Sequence, residues 1–278
     1  MDTMFVKPKG LVEVFDYINK DQCTLIAGGT DLMVDKRKGK QYAEPFIDIS
    51  NLEELLKIEE LKNEITIGAC CTHSEIEKNE LIKKWLPMLS KACSLVGSTL
   101  IRNRGTIGGN IVNNAICADS IPPLLIYDAK VNIESINGVR CIALKDFFLA
   151  KGLDLNSNEL LKSIKVTPID GYRWKLIKVG RRKSLAISRL TLAIALKERN
   201  GIIEDIRICP GAMLPRHGRL WNTESYFRGE RLDSKAIEAI AECSTAEAVS
   251  LSGRRWSTEY KESVLKGLIV KTLEEWRN

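Results

Sequence analysis

Two Asn-Gly pairs, Asn137-Gly138 and Asn200-Gly201, each sit between short runs of alternating apolar residues. A loop of this kind accepts the backbone that a tight hairpin demands, so each pair predicts two antiparallel strands. The flanking runs are 130–136 with 139–142, and 187–196 with 203–208. Further short apolar runs at 23–27, 46–49, 65–69, 160–166 and 174–179 predict strands. Helical periodicity is interleaved with them. Leu11, Val14, Phe15 and Ile18 share one helical face, and 234–249 and 257–276 read as amphipathic helices. Thr72 and Glu75 have capping-box spacing for a helix through Trp85, and Pro87 can open the next, to about Val96. Mixed elements with antiparallel hairpins predict an α+β fold rather than a doubly wound parallel sheet. Pro168-Ile169-Asp170-Gly171 predicts a linker.

With 278 residues the chain is long enough for about two domains and needs no covalent staples. Its 44% apolar and 28% charged residues exclude a disordered or collagen-like chain. No apolar run is long enough to span a bilayer, and the first residues lack a secretory pattern, so a cytoplasmic location is expected. The eight cysteines show no C-x-x-C spacing and read as small buried hydrophobes, so no metal site is expected. Only His73 and His217 are available for imidazole chemistry. Net charge is +6. The one concentrated excess is Arg173, Lys175, Lys178, Arg181, Arg182 and Lys183. It reads either as a solvated strand edge or as a basic wall facing an anion.

Two glycine loops carry the chemistry. Ala27-Gly28-Gly29-Thr30-Asp31 follows a buried strand and leads into Leu32. Thr106-Ile107-Gly108-Gly109-Asn110 lies far away in sequence. Glycines allow close backbone approach, and successive N–H groups can form an anion nest. Two such nests suit a pyrophosphate; the plainer alternative is a pair of tight turns. Neither loop is a Rossmann or P-loop fingerprint.

Taken together, Gly28-Gly29-Thr30-Asp31, Ile67-Gly68-Ala69-Cys70-Cys71-Thr72-His73, the 101–110 segment and Ala118-Asp119 occur in an order and spacing that resembles the FAD-binding subunits of the molybdenum hydroxylases. These are the xanthine, carbon monoxide and nicotinate dehydrogenase types. The resemblance covers nearly the whole chain and implies a vanillyl-alcohol-oxidase (PCMH)-type FAD fold. It would have two α/β subdomains, about 1–55 and 56–168, and a C-terminal domain at 172–278 with a three-stranded antiparallel sheet and helices. It further implies that FAD contacts Leu25, Ile26, Ala27, Gly28, Gly29, Thr30, Asp31 and Leu32, then Thr106, Gly108, Gly109 and Asn110. Asp119 matches an acid that hydrogen-bonds the cofactor, Leu161 an apolar contact, and Lys178 a lysine near the flavin. Val96 falls where eukaryotic relatives often carry an aromatic residue, and the insert that holds a [4Fe–4S] cluster in one branch is absent. Neither histidine lies in a glycine loop, so FAD is expected to be non-covalent.

The function implied is an electron-transfer subunit: electrons from [2Fe–2S] clusters of a small partner subunit pass through FAD to NAD or another acceptor, and a large subunit carries molybdopterin. No residue of this chain need act as nucleophile or general base, because the chemistry belongs to the cofactor. Two rivals are a stand-alone flavoenzyme of the UDP-N-acetylenolpyruvoylglucosamine reductase type and a nucleotide-binding scaffold without redox chemistry. Trp221, Tyr226, Phe227 and Trp256 are candidates for a partner surface or for the core.

Overall fold

The computed structural model describes residues 4–20, 22–182 and 186–277. An N-terminal parallel sheet of Phe5–Val6, Phe46–Asp48 and Thr24–Ile26 packs against the helix Leu11–Lys20, which buries Leu11, Val14 and Phe15. A five-stranded antiparallel sheet follows, in the order Ile58–Leu61, Glu64–Gly68, Leu160–Val166, Lys130–Ser135 and Gly138–Ala143. Its inner face carries Ile65, Ile67, Val131, Ile133 and Ile164 into the main core. The third sheet is antiparallel, in the order Ile202–Gly211, Ser188–Arg199 and Arg173–Gly180.

The long central strand of that third sheet divides its side chains between two cores, as the two-residue repeat of a strand requires. Leu190, Leu192, Ile194 and Leu196 face the helices Ser234–Ser252 and Thr258–Arg277. Ala193 and Ala195 face the first half of the chain, where small side chains let the sheet lie close to the helix Ile121–Ile126. Both Asn-Gly hairpins form as expected, with Gly138, Asn200 and Gly201 at positive φ.

Several elements differ from the sequence expectation. The strand Ile58–Leu61 was not anticipated; it pairs with Glu64–Gly68 across a turn in which Lys62 and Asn63 both take positive φ. The helix that begins at Thr72 stops at Lys78. Asn79 has an extended backbone and caps a new helix, Glu80–Trp85, by accepting from the Ile82 N–H. Gly108 and Gly109 lie in the first turn of the helix Ile107–Asn113 rather than in a loop. The helix Trp221–Phe227 was also unforeseen, and it buries Phe227, whereas Trp221, Tyr226 and Trp256 are exposed. Among the described residues no helix is long and apolar enough to cross a membrane.

The basic run divides between the two readings: Arg173, Arg181 and Arg182 are exposed at the sheet edge, while Lys178 lines a cleft. Arg173 pairs with Glu198 and bonds the Trp276 carbonyl, and Lys175 pairs with Glu275, so this edge strand is tied to the last helix. Lys183 lies outside the described residues.

Candidate functional site

A cleft of about 580 Å³ opens between the end of the N-terminal sheet, the helical segment 96–119 and one edge of the third sheet, a volume in the range of small-molecule sites. Both glycine segments reach it, and they touch one another. A Cβ on Gly28 would lie 2.0 Å from the Arg104 carbonyl oxygen and 3.0 Å from Gly105 Cα. Gly28 is therefore required for backbone-on-backbone packing between the segments. Gly29, at φ +68°, then turns the chain into the helix Leu32–Arg37.

The two segments differ in what their N–H groups do. Among the described residues, the N–H groups of Gly28, Gly29, Thr30, Asp31 and Leu32 donate to no acceptor of the chain. They form an open donor set at the cleft wall, the property of an anion nest. In the second segment the donors are already used. Ile107 N–H donates to Cys71 O (3.0 Å), Gly108 to Ala69 O (2.8 Å), Gly109 to Thr106 Oγ1 (3.1 Å) and Asn110 to Thr106 O (2.9 Å). The expectation of two open nests is thus corrected to one, because the second segment begins a helix capped by Thr106. Thr106, Gly109 and Asn110 still line the cleft. Asn110 Oδ1 accepts from Ser120 Oγ at 2.6 Å, which leaves its amide NH₂ without a protein partner.

Leu25 to Leu32, Asp119 and Lys178 also line the cleft. Gly108 and Leu161 do not. A Cβ on Gly108 would lie 2.6 Å from that of Ala69, so this glycine serves helix packing, and Leu161 is buried in the main core.

Asp119 is fully engaged. Its Oδ2 accepts from Lys178 Nζ at 2.6 Å, and its Oδ1 accepts from Ser188 Oγ and from Thr191 Oγ1 at 2.9 Å. Lys178 also donates to Leu95 O at 2.8 Å. All the partners of Asp119 lie on the third sheet, so the carboxylate ties that sheet to the first half of the chain. Removing one member of a buried pair leaves an uncompensated charge, at about 3–5 kcal/mol. Asp119→Ala is expected to lower the unfolding free energy by about that much in a denaturant titration. Asp119→Asn, which still accepts from Ser188 and Thr191, is expected to cost less.

Of the remaining wall, the family resemblance had already picked out Val96 and the segment that begins at Ile101, while the other residues were not singled out in the sequence. Val96, Ile101, Val112 and Ile187 give an apolar stretch, and Lys40 and Tyr42 stand at another part. Single apolar residues in separate elements leave no periodic signal that could have identified them. Cys117 also lines the cleft, and burial raises its thiol pKa, which keeps it an unreactive thiol. His73 lies buried beneath the glycine segments, and burial with the Arg102 charge pushes its pKa down to about 4. Among the described residues no group of histidines, cysteines and acids could hold a metal ion.

The open donors suit a phosphate group and the apolar wall suits a planar ring, so the residues present fit a flavin dinucleotide. Comparison with known proteins agrees. The family profile "FAD binding domain in molybdopterin dehydrogenase" matches residues 1–168, and "CO dehydrogenase flavoprotein C-terminal domain" matches 175–276. The chain is 30% identical to the nicotinate dehydrogenase FAD-subunit of Eubacterium barkeri, over 97% of this chain and 94% of that one. It is also 30% identical to the xanthine dehydrogenase FAD-binding subunit of Escherichia coli O157:H7, over 91% and 88%. In fold it matches a chain of the carbon monoxide dehydrogenase from Hydrogenophaga pseudoflava with a TM-score of 0.90 at 24% identity, covering 98% of this chain and 96% of that chain. With a fold, a cleft and a sequence that agree over nearly its whole length, the chain belongs to the FAD-binding medium subunits of the molybdenum hydroxylase family, and it is an oxidoreductase subunit.

Proposed function

We propose that this subunit relays electrons from [2Fe–2S] clusters of a small partner subunit, through non-covalently held FAD, to NAD or another acceptor, while a large subunit carries molybdopterin. A cytoplasmic location belongs to the same reading, as does a division of the chain into an FAD-binding domain, 1–168, and a C-terminal domain, 172–278. The observation that carries it is the set of open N–H groups at Gly28–Leu32, facing the same cleft as an apolar wall. FAD, when bound, supplies the redox chemistry.

The chain's own residues bind and orient. The N–H groups of Gly28 to Leu32 are the proposed donors to phosphate oxygens, with the Thr30 hydroxyl beside them. The Asn110 amide and Thr106 are proposed to flank the same part of the cofactor, and Leu25, Ile26 and Ala27 to line its channel. Lys178 lines the cleft as a cation already neutralised by Asp119, so its expected pull on a reduced flavin is weakened by its own ion pair. Asp119 is proposed to act on the cofactor through this positioning of Lys178 more than by a free acceptor oxygen.

The test is reconstitution. The purified chain should bind FAD with about one flavin per chain, and substrate should reduce that flavin only after the iron–sulfur and molybdopterin subunits are added. A chain that binds no FAD would overturn the reading, and substrate-dependent flavin reduction by this chain alone would favour a stand-alone enzyme.

A further inference from the structure

We infer that His73 is a positioning residue of the cofactor cleft, donating a ring N–H to the phosphate or ribose oxygens of the bound dinucleotide. This rests on the FAD reading above.

The backbone fixes where the ring stands. The His73 N–H donates to Gly105 O at 3.0 Å, and Thr72 forms a β-bridge with Thr106. The segment 71–73 is thereby held beneath the second glycine segment. The ring follows: its Cδ2 lies 3.4 Å from the position of a Cβ on Gly105, and Thr30 Oγ1 lies 3.5 Å from that same position. One imidazole therefore underlies the point where the two segments meet. It is only 2% exposed, yet it forms part of the cleft wall.

Its polar atoms are not satisfied by the protein. Nδ1 is sealed from the cleft and meets no donor of the chain, so it is the bare nitrogen, and the proton sits on Nε2, the ring nitrogen that is not sealed and that also has no partner in the chain. An unpartnered buried polar atom costs about 1–3 kcal/mol, and a phenylalanine or leucine would fill the same space without that cost. Arg102, whose charge acts on the ring, is occupied by Glu77 and the Val96 carbonyl. The ring is neutral at pH 7, so it carries one N–H and one bare nitrogen. Phosphate oxygens only accept, which assigns the donor role to the ring. The open N–H groups of Gly28 to Leu32 line the same cleft, so the ring would add a side-chain donor to a backbone set.

The experiment uses the full chain, stripped of flavin and titrated with FAD by fluorescence, with thermal melts of the apo form alongside. His73→Phe keeps a planar ring and removes both nitrogens. It is expected to bind FAD at least about tenfold more weakly, with an apo melting temperature no lower than wild type. His73→Asn and His73→Gln place an amide near one or other ring nitrogen, and one of them should recover most of the affinity. Wild-type affinity in His73→Phe would overturn the inference while leaving the FAD reading intact. Equal losses in all three variants, with lowered apo melting temperatures, would also overturn it and reduce the ring to packing. A wild-type chain that binds no FAD would overturn the function and this inference together.

Discussion

Gly28→Ala should strip FAD from the protein and lower its stability, although it adds a single methyl group. That methyl would lie 2.0 Å from the Arg104 carbonyl oxygen and 2.7 Å from its carbon. Both atoms are backbone, so no side chain can swing aside, and the two glycine segments must separate. Overpacking of this kind costs about 1–3 kcal/mol or more. Separation also disperses the open N–H groups of Gly28 to Leu32, and each charge-assisted hydrogen bond is worth about 1.5–3 kcal/mol. Affinity should fall by orders of magnitude. Gly109→Ala provides the contrast, since its Cβ would meet only the Thr106 hydroxyl, at 2.8 Å, and that capping side chain can give. Flavin-to-protein ratios and melting curves of the two variants measure the difference. Full flavin content with wild-type melting in Gly28→Ala would refute the contact between the segments.

Mild acid should destabilise the apo protein through its two histidines. His73 and His217 are both buried, and burial holds each pKa down to about 4, against 6.5 for a free imidazole. As pH falls through 6.5 the unfolded chain takes up protons that the folded chain refuses until about pH 4. Stability is therefore complete above about pH 6.5 and declines as pH falls toward 4. From pH 7 to pH 5 the loss is about 2 kcal/mol per histidine, or about 4 kcal/mol for the pair. The window is well separated from the strongly paired carboxylates, since Arg140 holds Glu159 near 2 and hydrogen bonds from Tyr172, Arg207 and Arg228 overcome burial to hold Asp205 near 2. Their contributions, fully present above the unfolded carboxylate range, are lost only below about pH 4.5. Urea midpoints at pH 7 and pH 5 measure the slope. The double variant His73→Gln, His217→Gln should show a much flatter one, and an equal slope in both proteins would rule out the histidines as its source.

The parts of this protein legible in its sequence are those that neighbouring residues decide. Asn200-Gly201 forms its hairpin because that pair takes positive φ whatever the rest of the chain does. Thr72 and Glu75 make their capping box within one helical turn, and Leu11, Val14 and Phe15 share a face because the helix repeat puts them there. The glycine segments were equally visible as composition, and their order along the chain carried the family resemblance. Their roles were not visible. Gly28 packs on a backbone carbonyl 76 residues away in sequence (104 − 28). The donors of the second segment are consumed by Ala69 and Cys71, which a parallel reading of the two loops could not reveal. Asp119 finds its partners 59, 69 and 72 residues further on, at Lys178, Ser188 and Thr191. Propensity, capping and periodicity act over one or two turns of chain, so sequence alone determines the elements and the kind of residue at each loop. Which donors stay open, which charges are neutralised and which polar atoms lack a partner depend on what the fold brings within 3 Å. Only the tertiary structure decides those, because a hydrogen bond is short-ranged in space and indifferent to distance along the chain.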